Sequence, residues 1–180
     1  HASILKRIGD YFGADSLICD FYTINGKELF IHKQAHLNKL VSAMCYTTYS
    51  KTPSINNELV NRHNPSTQIK KARETVIDYI FQNASASSIP IMKGTSSEAT
   101  LFRSVYCSTN IITGQYNAEM TDVLNTIRDY ILSAEGTAVE LSNLYKTLIS
   151  APYDMREGVI PMLIAFVLKD YIDKTVIYFK

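Results

Sequence analysis

A ten-residue apolar run, Val159–Leu168, constrains this chain more than any other feature. It sits inside Ala151–Ile172, APYDMREGVIPMLIAFVLKDYI, behind a Pro-Tyr turn and a charged Asp-Met-Arg-Glu-Gly step. Ten residues fall well short of the roughly 20 needed to cross a bilayer. They suit a helix buried on every side. Pro161 fits such a helix only in its first turn, where no backbone N–H is required. A helix apolar all round must be surrounded, so the rest of the chain has to supply the faces that cover it.

Those faces are legible as helical stripes. Residues 3–12 place Ile4, Leu5, Ile8, Tyr11 and Phe12 on one side, with Gly13 as the stop. Leu17–Ile24 is apolar and aromatic and suits a short helix or a strand before Asn25-Gly26. Residues 27–49 read as one long helix. Thr52-Pro53 breaks the pattern, Ser54 offers a cap for a short helix at 55–62, and Asn64-Pro65 breaks it again. Ser66 or Thr67 then caps a helix to about Gln82, with Ile69, Ala72, Val76, Ile77, Ile80 and Phe81 inward. Helices follow from Ser96 or Ser97 to Tyr106, over 118–132 and over 139–149. Short strands are expected at 88–92 and 175–179. The fold class is therefore mainly α: a helical bundle with winged-helix-like (helix-turn-helix) subdomains and a few short strands. Two subdomains are expected, 1–90 and 91–180, divided by the small polar stretch Asn83–Ser88, the second ending in a strand. The helix order of the first half matches a helix-turn-helix core whose third helix would face DNA.

A chain of 180 residues is long enough to bury a real core. Its net charge of +1 carries no global bias toward nucleic acid or membrane. The charge is unevenly spread. Residues 51–73 hold five basic side chains against Glu58, whereas residues 115–173 hold four basic against nine acidic. Such asymmetry permits an anionic partner at one end or self-association into a homo-oligomer. The three cysteines are odd in number and widely spaced, with no CxxC pattern. Reduced, largely buried thiols and a cytoplasmic location are expected. No signal peptide or membrane span is visible, and the chain reads as a piece of a larger protein.

Catalytic patterns are missing. His32 and His36 share metal-like spacing, but Lys33, Gln34 and Ala35 intervene and no third ligand completes the set. There is no GxxxxGK[ST] loop, GxGxxG or GxSxG, and Lys93-Gly94-Thr95 matches only the tail of a phosphate loop. No catalytic, metal or cofactor residue is assigned. Two binding candidates stand out. Arg62, His63, Gln68, Lys70, Lys71 and Arg73 lie on or before the third helix, where they suit phosphate contact, with Asn61 and Asn64 as added donors. Tyr153 and Arg156 form a partner- or anion-binding corner ahead of the apolar helix. The alternative for that corner is structural: Asp154 or Glu157 caps the helix, Arg156 pairs with one of them, and Tyr153 packs.

Three stretches together resemble a family. Thr52-Pro53-Ser54-Ile55-Asn56-Asn57-Glu58-Leu59-Val60-Asn61-Arg62 resembles a TPxINNELxNR segment, and Lys71-Ala72-Arg73 a following KAR helix. Leu144-Tyr145-Lys146-Thr147-Leu148, with Pro152-Tyr153 and Arg156-Glu157-Gly158-Val159-Ile160-Pro161, is similar to an LYxxL…PPYGxRxGxIP segment. These segments belong to very large bacterial ATP-binding proteins of phage-defence or DNA-repair type, including the BREX-like phage-exclusion ATPases. The resemblance covers residues 37–180. Ala151 stands where proline is common and Asp154 where glycine is common. Loss of that glycine implies a less unusual backbone at the turn.

The resemblance implies a non-catalytic accessory region, with the ATPase, its ATP and its Mg in another part of the parent protein. The expected function is binding of double-stranded DNA or of a partner subunit of a defence complex. A structural scaffold or oligomerisation module without nucleic-acid contact is the alternative.

Overall fold

The computed structural model describes residues 22–24, 26–29, 34–55, 57–61 and 66–178. The protein is mainly helical, and divides into two compact units, His1–Thr48 and Tyr49–Lys180. The expected helix over 3–12 and residues 17–21 lie outside the described residues.

In the first unit, Tyr22–Ile24 (β1) and Lys27–Leu29 (β2) pair antiparallel, with Tyr22 opposite Leu29 and Ile24 opposite Lys27. Gly26, at φ +74°, supplies a left-handed turn residue. Helix α1 spans Gln34–Thr48. The long helix expected from residue 27 is thus corrected: its first residues pair as a strand. A tight glycine turn that reverses the chain satisfies their backbone locally and outweighs the helical spacing of Leu29.

In the second unit the helices are α2 (Glu58–Asn61), α3 (Thr67–Gln82), α4 (Ser97–Phe102), α5 (Ala118–Leu132), α6 (Leu141–Ile149) and α7 (Ile160–Leu168). A π-helical turn, Arg103–Cys107, continues α4, and a 3-10 turn, Lys169–Lys174, continues α7. Three side chains cap as their types require. Ser66 Oγ accepts from the Ile69 N–H at 3.4 Å, Ser96 Oγ from Ala99 at 3.4 Å, and Asn117 Oδ1 from Met120 at 3.0 Å. Each such cap contributes about 1 kcal/mol.

The apolar run forms the centre of this unit. Ile160, Met162, Leu163, Ile164, Ala165, Val167 and Leu168 are all buried, and α7 packs against α3 and α5. Its Pro161 lies in the first turn, as its missing N–H requires. The covering faces are Ala72, Val76 and Ile80 on α3, with Ile69, Ile77 and Phe81 of the expected stripe partly buried beside them, and Met120, Val123, Leu124 and Ile127 on α5. Full burial of each large aliphatic residue contributes about 1.5–3 kcal/mol. Tyr106 is fully buried beside them, and its hydroxyl donates to the Met162 carbonyl at 2.7 Å. An aromatic series runs from Tyr79 to Phe102 (5.7 Å), Tyr106 (5.2 Å) and Phe166 (5.8 Å).

Both strands expected in this unit are corrected. Residues 88–92 and 175–178 form no ladder, and Asp173-Lys174 belongs to the 3-10 turn. Val176, Ile177 and Tyr178 are exposed. A single extended segment has no partner for its backbone groups, so high β propensity alone makes no strand. The expected boundary near residue 90 falls inside the second unit, where α3 packs against both α4 and α7. Among the described residues, no helix is long and apolar enough to cross a membrane. Cys45 is exposed and Cys107 half-buried, both as free thiols, so the expectation of largely buried cysteines does not hold for these two. Cys19 lies outside the described residues.

Candidate functional site

Two segments far apart in sequence meet on the second unit. The first is residues 51–55, with Asn57 just beyond. The Lys51 N–H donates to the Pro152 carbonyl at 3.2 Å, and Lys51 Nζ reaches Asp122 Oδ2 on α5 at 2.9 Å. That hydrogen bond and the Asp122 charge raise the Lys51 pKa above its ordinary value. Beyond this segment Asn57 is buried. Its Oδ1 accepts from the Leu59 N–H at 2.8 Å, which starts α2, and its Nδ2 donates to Ser104 Oγ in the π turn at 2.6 Å. Ser54 was the expected cap for this helix. Asn57 takes that role instead, and the helix is correspondingly shorter than 55–62.

The second segment is the corner between α6 and α7. The N–H groups of Tyr153 and Asp154 both donate to the Ser150 carbonyl, at 3.0 and 3.1 Å, and that of Met155 donates to the Leu148 carbonyl at 2.8 Å. Asp154 has φ +44°, so this turn keeps a left-handed residue although glycine is absent. Aspartate tolerates that region better than most residues. The less unusual backbone expected from the missing glycine is therefore corrected. Tyr153 packs against the core while its hydroxyl hydrogen-bonds Thr126 Oγ1 at 2.8 Å, and Met155 is buried. The expected capping by Asp154 or Glu157 is not found: α7 has no side-chain cap, and its first turn follows Val159. Nor does Arg156 pair with either acid; among the described residues it has no ion pair.

Between these segments lies a cleft of about 270 Å³. Thr52–Ile55 form one wall, and Asp154–Arg156 with Val159 form the other. Pro53, Met155 and Val159 are buried and make its apolar part. Thr52 Oγ1 is buried with no hydrogen-bond partner. Such a cleft has the chemistry to hold a small group with an apolar body and a polar head.

The basic candidates separate in space. Gln68, Lys70 and Lys71 are exposed on α3, but so are Glu74 and Asp78 on the same outer face. Each residue turns the helix by about 100°, which sets Glu74 one turn beyond the two lysines and Asp78 a further turn along the same face. Arg73 points elsewhere and is half-buried, near Tyr145 of α6. Burial raises the Tyr145 phenol above its ordinary value; the Arg73 charge pulls it down, and the Glu157 charge pushes it further up. Arg62 and His63 lie outside the described residues, as do His32 and the structure around Asn64. Among the described residues, no three His, Cys, Asp or Glu side chains are grouped to hold a metal.

Sequence reasoning singles out Tyr153 and Arg156 but not the residues opposite them. Thr52 and Ser54 register only as a helix break and a cap. Their place in a second motif stretch is the available signal. Comparison with protein-family models, with curated proteins and with solved structures finds no match.

Proposed function

We propose that this chain is a non-catalytic accessory region of a larger ATPase, and that it binds a partner subunit through the cleft between 52–55 and 154–159. One observation carries this reading: two separate motif stretches converge on one concave surface, and backbone and side-chain bonds from Lys51, Asn57 and Tyr153 tie its walls to the surrounding helices. Pockets and arginine side chains are both over-represented among the groups that anchor protein interfaces. A photo-crosslinking residue at Ser54 of the intact protein is expected to capture another subunit, and the same residue at Thr75 on α3 is expected to capture none. No capture from Ser54 sinks the reading.

The second reading is contact with double-stranded DNA through α3, in a helix-turn-helix-like use of α2 and α3. The exposure of Gln68, Lys70 and Lys71 favours it, and the neighbouring Glu74 and Asp78 weaken it. Salt-sensitive binding of a labelled duplex that is lost in Lys70→Glu/Lys71→Glu would support it. The scaffold alternative predicts a light-scattering mass above the monomer with neither activity.

A further inference from the structure

We infer that the cleft takes an acidic side chain of the partner polypeptide, with Arg156 as its carboxylate receptor. This rests on the cleft being the docking site.

Arg156 lies exposed on the cleft wall and has no ion pair among the described residues, although Asp154 and Glu157 flank it in sequence. Neither neighbouring acid comes within ion-pair distance of the guanidinium, and the turn between them holds Asp154 at φ +44°. A free guanidinium offers five N–H donors in a planar fork, and a carboxylate matches that fork with two parallel hydrogen bonds. Beside it, Pro53, Met155 and Val159 offer an apolar floor suited to the methylene stem of a glutamate. Thr52 on the opposite wall carries a hydroxyl without a partner, a group that a polar head can satisfy after rotation of its side chain. The volume of about 270 Å³ is below the 300–1,000 Å³ usual for drug-sized ligands. It suits one anchored side chain better than a nucleotide.

Asp154 sets a further condition. Its carboxylate stands on the same wall and opposes an acidic occupant, so the affinity is held down and rises when that charge is removed. Asparagine is at home at positive φ. Asp154→Asn therefore removes the charge and keeps the turn.

The probe is a capped peptide, Ala-Leu-Glu-Leu-Ala, carrying a neutral fluorophore, with its glutamine counterpart as control. Both are titrated into the intact protein and followed by anisotropy, and each variant's fold is checked by circular dichroism. The Glu peptide is expected to bind about tenfold tighter than the Gln peptide, since charge-assisted bidentate pairing is roughly twice as strong as neutral hydrogen bonding. Arg156→Gln removes that preference and Arg156→Lys restores only part of it. Asp154→Asn tightens the Glu peptide, most at low salt. Equal binding of the two peptides, no binding at millimolar peptide, or an unchanged preference in folded Arg156→Gln overturns the assignment. Capture from Ser54 with no Glu preference removes only the carboxylate receptor. Glu-selective binding with no capture from Ser54 removes the docking reading instead.

Discussion

The outer face of α3 and the corner before α7 both attract attention for their charges, yet they differ in what holds those charges. On α3 the lysines project from a regular helix whose register also brings Glu74 and Asp78 to the same face, so the face carries charges of both signs. Arg73 is carried round toward Tyr145. At the corner, three backbone hydrogen bonds and a left-handed Asp154 define the bend, and Arg156 stands on it beside a cleft with no ion pair among the described residues. A run of basic letters is therefore a weaker sign of a site than a single arginine placed by an irregular turn. Helical rotation disperses neighbours, whereas a bonded bend fixes them.

The contrast is easiest to break at Met155. Met155→Ala removes a buried anchor beneath the cleft and is expected to cost about 2–5 kcal/mol in denaturant unfolding. Lys70→Glu/Lys71→Glu changes only exposed positions and is expected to stay within about 0.5 kcal/mol. Equal costs for the two would mean that the corner is no better supported than the helix face.

A smaller effect tests the left-handed residue. Asp154→Val forces a β-branched side chain to φ +44° and is expected to cost about 1–2 kcal/mol, while Asp154→Gly costs nothing measurable. If valine is tolerated as well as glycine, the turn is not the constraint described. Next comes Tyr153→Phe, which removes the hydrogen bond to Thr126 while keeping the ring. Unfolding should show a loss of about 0.5–1.5 kcal/mol.

The subtlest test uses Tyr145, which feels both regions. Ultraviolet titration of its phenol should show the pKa rising further in Arg73→Gln and falling in Glu157→Gln, because each substitution removes an opposite influence. Its folded pKa is raised, so the associated stability is present below the unfolded value of 10.0 and is lost as pH climbs through the folded value. Identical titrations in both variants would detach Tyr145 from one region or both.

Much of the helical framework is legible in the sequence. Helices 67–82 and 118–132 carry stripes with a 3.6-residue period; Ala72, Val76 and Ile80 of the first are buried and Ile69, Ile77 and Phe81 partly so, and in the second Met120, Val123, Leu124 and Ile127 are buried and Ile131 partly. Ser66 and Ser96 announce helix starts through side-chain oxygens that satisfy nearby N–H groups. The strands read less well. Thr175–Phe179 has strand-forming residues, but pairing depends on a neighbour that local sequence does not specify. Residues 27–29 show the converse, a segment of weak propensity recruited by a turn.

The candidate site is half visible in the same way. Tyr153 and Arg156 stand out through residue type and position, and the apolar run Val159–Leu168 requires a covered central helix entered at Pro161. Local periodicity and capping chemistry settle these, because both act over a few residues. Long-range packing alone makes Thr52–Ile55 the opposite wall and ties Lys51 to Pro152 and Asp122. Lys70 and Lys71, by contrast, share their face with Glu74 and Asp78 through helical register alone, which local spacing already shows. Long-range packing brings together residues about a hundred positions apart, and such contacts leave no local periodicity to read.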